Sequence, residues 1–306
     1  MQRIPDFIAI DLGGTRIKAG FIAAGGTQVG APQTVPTPAD GPAALARVCD
    51  LARAFDLPQK TFLAVGLAIP GLVRDHSTLL DLPGKLPGLV GRDLRAALED
   101  ATGHPAIVLN DALAYGLGEV TAGAGRGFER VVVMTIGTGI GVSVMERGAP
   151  LGDGPLGAGT LGGMIPIADG DPELLDSNGQ AGTIEALCAA RRLVDYANAA
   201  GGGFTSVPEV FAAHGRADPA ARKGVERFRT YLARALVALA QAHAPSAIIV
   251  GGGPITFGEP ILQGLEARVR TTLWKNHELT ILPSALGDAA ALLGLRHEFV
   301  RVRSAA

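Results

Sequence analysis

Asp11-Leu12-Gly13-Gly14-Thr15-Arg16-Ile17-Lys18 stands between two apolar runs, residues 7–10 (FIAI) and residues 17–22 (IKAGFI). Apolar run, polar glycine turn and second apolar run together predict a β-hairpin with the turn at its tip. Two adjacent glycines let backbone N–H groups turn towards an anion with no Cβ in the way, and Thr15 adds a hydroxyl donor. Lys18 brings a positive charge that either faces phosphate or sits on the surface, and Asp11 is placed to hold a divalent cation or its water shell. The competing reading is an ordinary turn, since Asp and Gly are common turn residues.

Further along, residues 131–135 (VVVMT), a turn at Gly137-Thr138-Gly139, and residues 142–145 (VSVM) repeat the design. Thr135, Gly137, Thr138 and Gly139 offer the same amides and hydroxyls on another strand pair. The spacing matches only approximately, so this is an internal echo and not a strict repeat. A second phosphate-type turn makes the first one more informative.

Between and beyond these hairpins, strands and helices alternate. Helical patterns cover residues 42–55, 94–99, a stretch running towards Thr121, and residues 184–199, 207–214, 220–243 and 288–298. Strand-like runs cover residues 62–69, which end in Pro70-Gly71, residues 106–109, and residues 247–250, which run into Gly251-Gly252-Gly253. The class is therefore α/β. A length of 306 residues suits two lobes with a cleft between them.

Composition excludes several partners. Apolar residues make up 47% and charged residues 18%, enough to bury a large core. The 27 basic and 29 acidic residues give a net charge of -2 without long runs of one sign. That leaves no footprint for nucleic acid or an anionic membrane surface, and a small molecule is the expected partner. Cys49 and Cys188 are the only cysteines and lie far apart, so no disulfide framework or cysteine metal cluster can be built. The N-terminus lacks a signal-peptide apolar region, and no stretch reaches the roughly 18 apolar residues of a membrane span. A cytoplasmic protein is expected.

Asn110-Asp111 ends the strand of residues 106–109 just before a helical stretch. Polar groups at a strand's C-terminal end are well placed for a site, and a carboxylate there can accept the proton of an attacking hydroxyl in phosphoryl transfer. Its amide neighbour could orient that hydroxyl. The alternative is a helix N-cap, where Asp and Asn are favoured. Gly251, Gly252 and Gly253 mark a close backbone approach, either to the adenosine end of a nucleotide or at a helix-start turn.

Rival motifs fail on context. The string at residues 157–162 matches G-x-G-x-x-G by letter, but no strand precedes it and no helix opens from it, as a dinucleotide site requires. No P-loop string and no serine nucleophile elbow occurs. The six histidines show no metal-ligand spacing.

These residues resemble the ROK family of bacterial sugar kinases and related repressors. The matching segments, in order, are residues 8–22 (IAIDLGGTRIKAGFI), 66–73 (GLAIPGLV), 108–119 (VLNDALAYGLGE), 134–145 (MTIGTGIGVSVM), 247–255 (AIIVGGGPI) and 286–295 (LGDAAALLGL). The resemblance implies a two-lobed, actin-like (ribonuclease-H-like) ATPase fold. It places one lobe at residues 1–112, completed by the C-terminal helix at 288–306, and the other at 113–287. It implies an ATP- and Mg²⁺-dependent kinase of a hexose-like alcohol, with Asp111 as catalytic base, Gly71 and Asn110 beside the sugar, and a homodimer. A sugar sensor without kinase activity is the alternative.

The substrate half departs from the family pattern. The usual G-E-x-G-H string reads Gly159-Thr160-Leu161-Gly162-Gly163, so Thr160 replaces an acidic sugar ligand and Gly163 a histidine. The C-x-C-G-x-x-G-C-x-E zinc loop reads Asp176-Ser177-Asn178-Gly179-Gln180-Ala181-Gly182-Thr183-Ile184-Glu185. Its cysteines are gone, so no zinc is expected and the loop must be held by other means. Glu185 is retained as a candidate hydroxyl ligand. Lys85 replaces the amide of an Asn-Leu-Pro-Gly pattern, either as a contact to an anionic or modified substrate or as a solvated loop residue. A site that has lost such partners should prefer a different ligand.

Overall fold

A computed structural model describes residues 5–55, 63–82, 86–152, 159–257, 259–275 and 277–305. Lys85 lies outside them. The chain divides into two compact units, one made of Met1–Arg126, Gly148–Gly157 and Asp288–Ala306, the other of Gly127–Arg147 and Ala158–Gly287.

In the first unit, β1 (Asp6–Leu12) pairs antiparallel with β2 (Arg16–Ile22), which pairs antiparallel with β3 (Gly30–Pro36). On the other side of β1 lie β4 (Leu63–Ile69) and β7 (Ala106–Asn110), both parallel, giving the order β3-β2-β1-β4-β7. All seven β4 residues are buried, as expected of a strand covered on both faces, which reads as a continuous apolar run. A short hairpin of β5 (Leu72–Arg74) and β6 (Thr78–Asp81) follows β4. Its sequence carries no long apolar run, and β3 likewise has none, so neither was visible as a strand.

Helix α1 (Gly41–Ala54) starts where Asp40 accepts the Ala43 N–H and Pro42 sits in the first turn. Helix α2 (Leu94–Thr102) precedes β7, and α3 (Asp111–Ala122) follows it directly. Against α3 packs the C-terminal helix, Ala289–Ala305. The approach needs glycine: a Cβ at Gly118 would overlap the Ala290 backbone, and one at Gly294 the Ala114 carbonyl. This packing keeps α3 in the first unit, so the chain leaves it after Arg126 and not after residue 112.

The C-terminal helix is also clamped by a buried carboxylate. Burial acts to raise the Glu298 pKa, but hydrogen bonds from Arg301 and His76 outweigh it and hold the group at about 2.

In the second unit, β8 (Arg130–Ile136) and β9 (Ile140–Glu146) form an antiparallel hairpin. Parallel to β8 runs the Ala247–Gly252 strand, and parallel to that the Thr280–Pro283 strand. The helices are α4 (Ile184–Cys188), α5 (Arg191–Ala199), α6 (Val207–Gly215) and the long α7 (Pro219–His243). The expected single helix over residues 184–199 is thus two, because the chain extends at Ala189 (ψ 149°). The break frees the Ala190 N–H to bind the Gly137 carbonyl at 2.9 Å. Among the described residues no helix is long and apolar enough to cross a membrane.

Candidate active site

In the first unit the three parallel strands end side by side. Asp11 pairs with Ala68, and Ile69 with Asn110, so Asp11, Pro70-Gly71 and Asn110-Asp111 share the C-terminal edge of β1, β4 and β7. This is the sheet edge where α/β proteins place ligands.

The hairpin turn rises beside that edge. Gly13 donates to the Arg16 carbonyl at 3.0 Å and leaves no room for a Cβ, which would lie 2.9 Å from the same oxygen. Gly14 and Thr15 are exposed at the tip. The turn is tied from behind by Thr37, whose hydroxyl donates to the Gly13 carbonyl at 2.7 Å and whose N–H donates to the Thr15 carbonyl at 3.1 Å. Thr37 follows a strand the sequence did not reveal, so its role was not legible there.

Asp11 and Lys18 face each other across β1 and β2. Lys18 makes an ion pair of 2.6 Å with the exposed Asp288, just before the C-terminal helix. The Asp11 pKa is pushed up to about 7, first by burial and then by the charge of Asp111; Lys18 pulls it down and Asp288 pushes it up. Asp11, Asp111, Lys18 and Asp288 thus form one electrostatic group.

Asn110 is the N-cap of α3: its Oδ1 accepts the Leu113 N–H at 3.0 Å, and its Nδ2 donates to the Gly71 carbonyl at 2.8 Å. The cap reading is therefore realised, and the same amide fixes the Pro70-Gly71 bend. Gly71 has φ +96°, and a Cβ there would overlap the Asp81 carbonyl, so only glycine fits. Asp111 is the first residue of α3, half-buried, and its Oδ1 accepts the Ala112 N–H at 2.8 Å. A helix N-terminus stabilises negative charge at that place.

The second unit repeats the turn at the end of β8. Gly137 donates to the Gly139 carbonyl at 2.9 Å, and Gly137 and Thr138 are exposed. This loop is one residue shorter than the first: Ile136 pairs with Ile140, whereas Leu12 pairs with Ile17. The approximate spacing of the echo has this cause. Gly251 and Gly252 pair with Thr135 and Ile136, so the glycine run ends next to the turn. Thr135 donates weakly to the Gly141 carbonyl at 3.4 Å.

Glu185 has work inside this unit. Its Oε2 accepts the Ile140 N–H at 2.9 Å and its Oε1 the Ser177 N–H at 2.8 Å, so it joins the turn to the 176–185 loop. That loop is centred on buried Asp176. Its Oδ1 accepts the N–H groups of Asn178 and Gln180, both at 2.9 Å, and its Oδ2 the Thr183 hydroxyl at 2.9 Å. Thr183 in turn caps α4. The donor set does not fit a tetrahedral zinc of thiolate and imidazole, because the oxygens at these positions are engaged with N–H and O–H donors. Thr160 is half-buried in the same unit, and at Gly163 a Cβ would lie 2.9 Å from the Ile140 carbonyl, leaving no space for a larger side chain without a shift.

Comparison with known proteins gives a consistent picture. Residues 7–297 match the ROK family. The chain is 30% identical to a glucokinase of Streptomyces coelicolor, with 94% of this chain and 95% of that one covered. It is 32% identical to an N-acetylmannosamine kinase of Escherichia coli O127:H6, over 94% and 96%. Among solved structures, a ROK family glucokinase from Streptomyces griseus in complex with glucose and AMPPNP superposes with a TM-score of 0.83, 27% identity, and coverage of 96% and 98%.

Proposed function

Since this chain belongs to the ROK family, we propose that it is an ATP-dependent kinase that transfers the γ-phosphoryl group to a hydroxyl of a hexose or hexose-like alcohol. The observation that carries this reading is the placement of Asp111. It stands at the shared C-terminal edge of the parallel strands, in the electrostatic group of Asp11 and Lys18 and on the same sheet as the glycine turn. Relatives that are named glucokinase and N-acetylmannosamine kinase support a sugar acceptor.

In this reaction the Asp111 carboxylate accepts the proton of the sugar hydroxyl as its oxygen attacks the γ-phosphorus; the bond to the bridging oxygen breaks and ADP leaves. Gly13, Gly14 and Thr15 would direct amides and a hydroxyl at phosphate oxygens, and Gly137, Thr138 and Gly139 form a turn of the same kind within the second unit. Asn110 contributes by holding Gly71 and the start of α3 in place.

Hard oxygen donors at Asp11 and Asp111 suit Mg²⁺, which offsets phosphate charge when it enters with the nucleotide. Among the described residues no three His, Cys, Asp or Glu side chains form a metal-holding group, so phosphate oxygens would supply most of its ligands. A homodimer and a cytoplasmic location accompany this proposal as family expectations.

Asp111→Asn removes the proton acceptor and keeps the shape. We expect kcat to fall by about 10²–10⁴ while the Kd for ATP changes less than about twofold, as measured by steady-state turnover and calorimetry. Loss of ATP binding in a folded variant would overturn the assignment. The altered acceptor motif at Thr160 and Gly163 favours one second reading, a sugar-binding protein without turnover. A screen of ATP consumption against hexoses, amino sugars, N-acyl sugars and cyclitols separates the two, since the kinase must turn over at least one class.

A further inference from the structure

The Ala247–Gly252 strand ends against β8. Gly252 turns there with φ +97°, a conformation reserved for glycine, and a Cβ on it would overlap the Ile136 backbone. The chain then winds into a 3₁₀ turn, Gly253–Phe257, closed by a hydrogen bond from the Thr256 hydroxyl to the Gly253 carbonyl at 2.6 Å. A Cβ at Gly253 would meet nothing within 4 Å, so the turn borders open space.

At its far end stands Phe257, which is 42% exposed. One face of its ring lies on the buried Phe211 of α6, with centroids 5.0 Å apart and planes only 16° from parallel. Phe211 fixes the tilt of Phe257, so the exposed part is a held aromatic surface and not a loose side chain.

Its position along the fold matters. A 3₁₀ helix rises about 2 Å per residue, so Phe257 lies about 10 Å along the chain path from Gly252. Gly252 itself pairs with Ile136, the residue immediately before the Gly137-Thr138-Gly139 turn. A nucleotide whose phosphates meet that turn must send its ribose and base away from it, and the 3₁₀ turn offers a course of suitable length within the same unit.

We propose that Phe257, backed by Phe211, is the platform on which the base of the nucleotide donor stacks, and that it sets the preference for a nucleoside triphosphate over a base-free polyphosphate. The inference rests on the kinase reading above and deepens its donor side. Aromatic stacking on a base is tolerant of base identity, because every base has a π-face. Guanosine and adenosine triphosphates should therefore lose affinity together when the platform is removed.

The test compares ATP, GTP and inorganic tripolyphosphate on wild type, Phe257→Ala and Phe257→Trp, by calorimetry and by KM with an accepted sugar. Phe257→Ala should weaken ATP and GTP by about tenfold or more, while tripolyphosphate affinity and the KM for sugar stay within about twofold of wild type. Phe257→Trp should restore nucleotide affinity. Unchanged ATP affinity in Phe257→Ala would overturn the platform, as would an equal loss for tripolyphosphate, which would mark a general disturbance of the unit. The calorimetric affinities need no turnover, so they decide the platform even where wild type turns over no sugar, which is the kinase reading's own and separate failure.

Discussion

Asp11 lies at the centre of the site's electrostatics and carries a testable cost. Its carboxyl titrates near 7 because burial, and then the neighbouring Asp111, disfavour the charged form more than Lys18 favours it. In the unfolded chain the same group titrates near its ordinary value of about 4. Below both values the two states bind the proton equally and Asp11 does not alter stability. As pH rises from about 4 to 7 the unfolded chain gives up its proton first, so stability falls, and the deficit is complete above 7. Asp11→Asn should therefore be more stable than wild type at pH 8 by roughly 1–2 kcal/mol, allowing for its partial exposure, and equal to it at pH 3.5 within error. Urea titrations at the two pH values measure this; a variant less stable at pH 8 would show that the charged form is supported after all.

The residue scale also shows where reading from sequence stops. Asp11, Gly13, Gly71 and Asp111 were legible because each is a residue type demanded by a local event, a strand end or a turn. Thr37 behind the turn, Asp288 on Lys18 and Asp176 under the 176–185 loop were not. Their partners lie between 2 and 270 positions away, and the distant ones are fixed by tertiary packing. Glu185 was picked out for a hydroxyl, and the structure gives it two backbone N–H groups from separate segments.

At the scale of elements, helix existence was readable and helix continuity was not. Alanine is the best helix former, so the Cys188-Ala189-Ala190 stretch gives no local sign of the break between α4 and α5. The break is set by tertiary demand, the Ala190 hydrogen bond to Gly137. The contact between α3 and the C-terminal helix is the converse, because glycine in a helix interior normally costs stability yet here it is what lets two backbones meet. Gly118→Ala should thus invert the usual sign. Helix propensity alone would stabilise the variant by about 1 kcal/mol, but the overlap with the Ala290 backbone should destabilise it by about 2–3 kcal/mol net. Gly215→Ala, at a site with open space, serves as the control and should be neutral or slightly stabilising. A lower midpoint in guanidinium for Gly118→Ala alone, with unchanged slope, is the expected result.

For the whole molecule, the two units share one plan. Each has an antiparallel hairpin with a glycine turn, followed by two strands parallel to the first, in the orders β2-β1-β4-β7 and β9-β8-(Ala247–Gly252)-(Thr280–Pro283). The echo was visible in the sequence because each hairpin needs its own apolar runs and turn. The final short strand of the second sheet was not, since four residues carry too little periodicity.

The departure from the family's zinc loop has a consequence for the chain's stability. A structural zinc supplies folding free energy directly, so proteins that depend on one lose stability to chelators. Here Asp176 and Glu185 together accept five hydrogen bonds from Asn178, Gln180, Thr183, Ser177 and Ile140. A carboxylate network of this kind ties the loop together by bonding within the chain, and whether it stands in for a metal can be tested directly. Prolonged dialysis against a zinc-selective chelator should shift Tm by less than about 1 °C, whereas Asp176→Ala, which strands the buried Thr183 hydroxyl and frees the Asn178 and Gln180 N–H groups, should lower stability by about 1–3 kcal/mol. That loss should also loosen the Gly137-Thr138-Gly139 turn, because Glu185 bridges it to the same loop, and hydrogen exchange at Ile140 should rise in the variant. A large fall in Tm on chelation alone would mean that a metal holds the loop, and the hydrogen-bonded account would then be wrong.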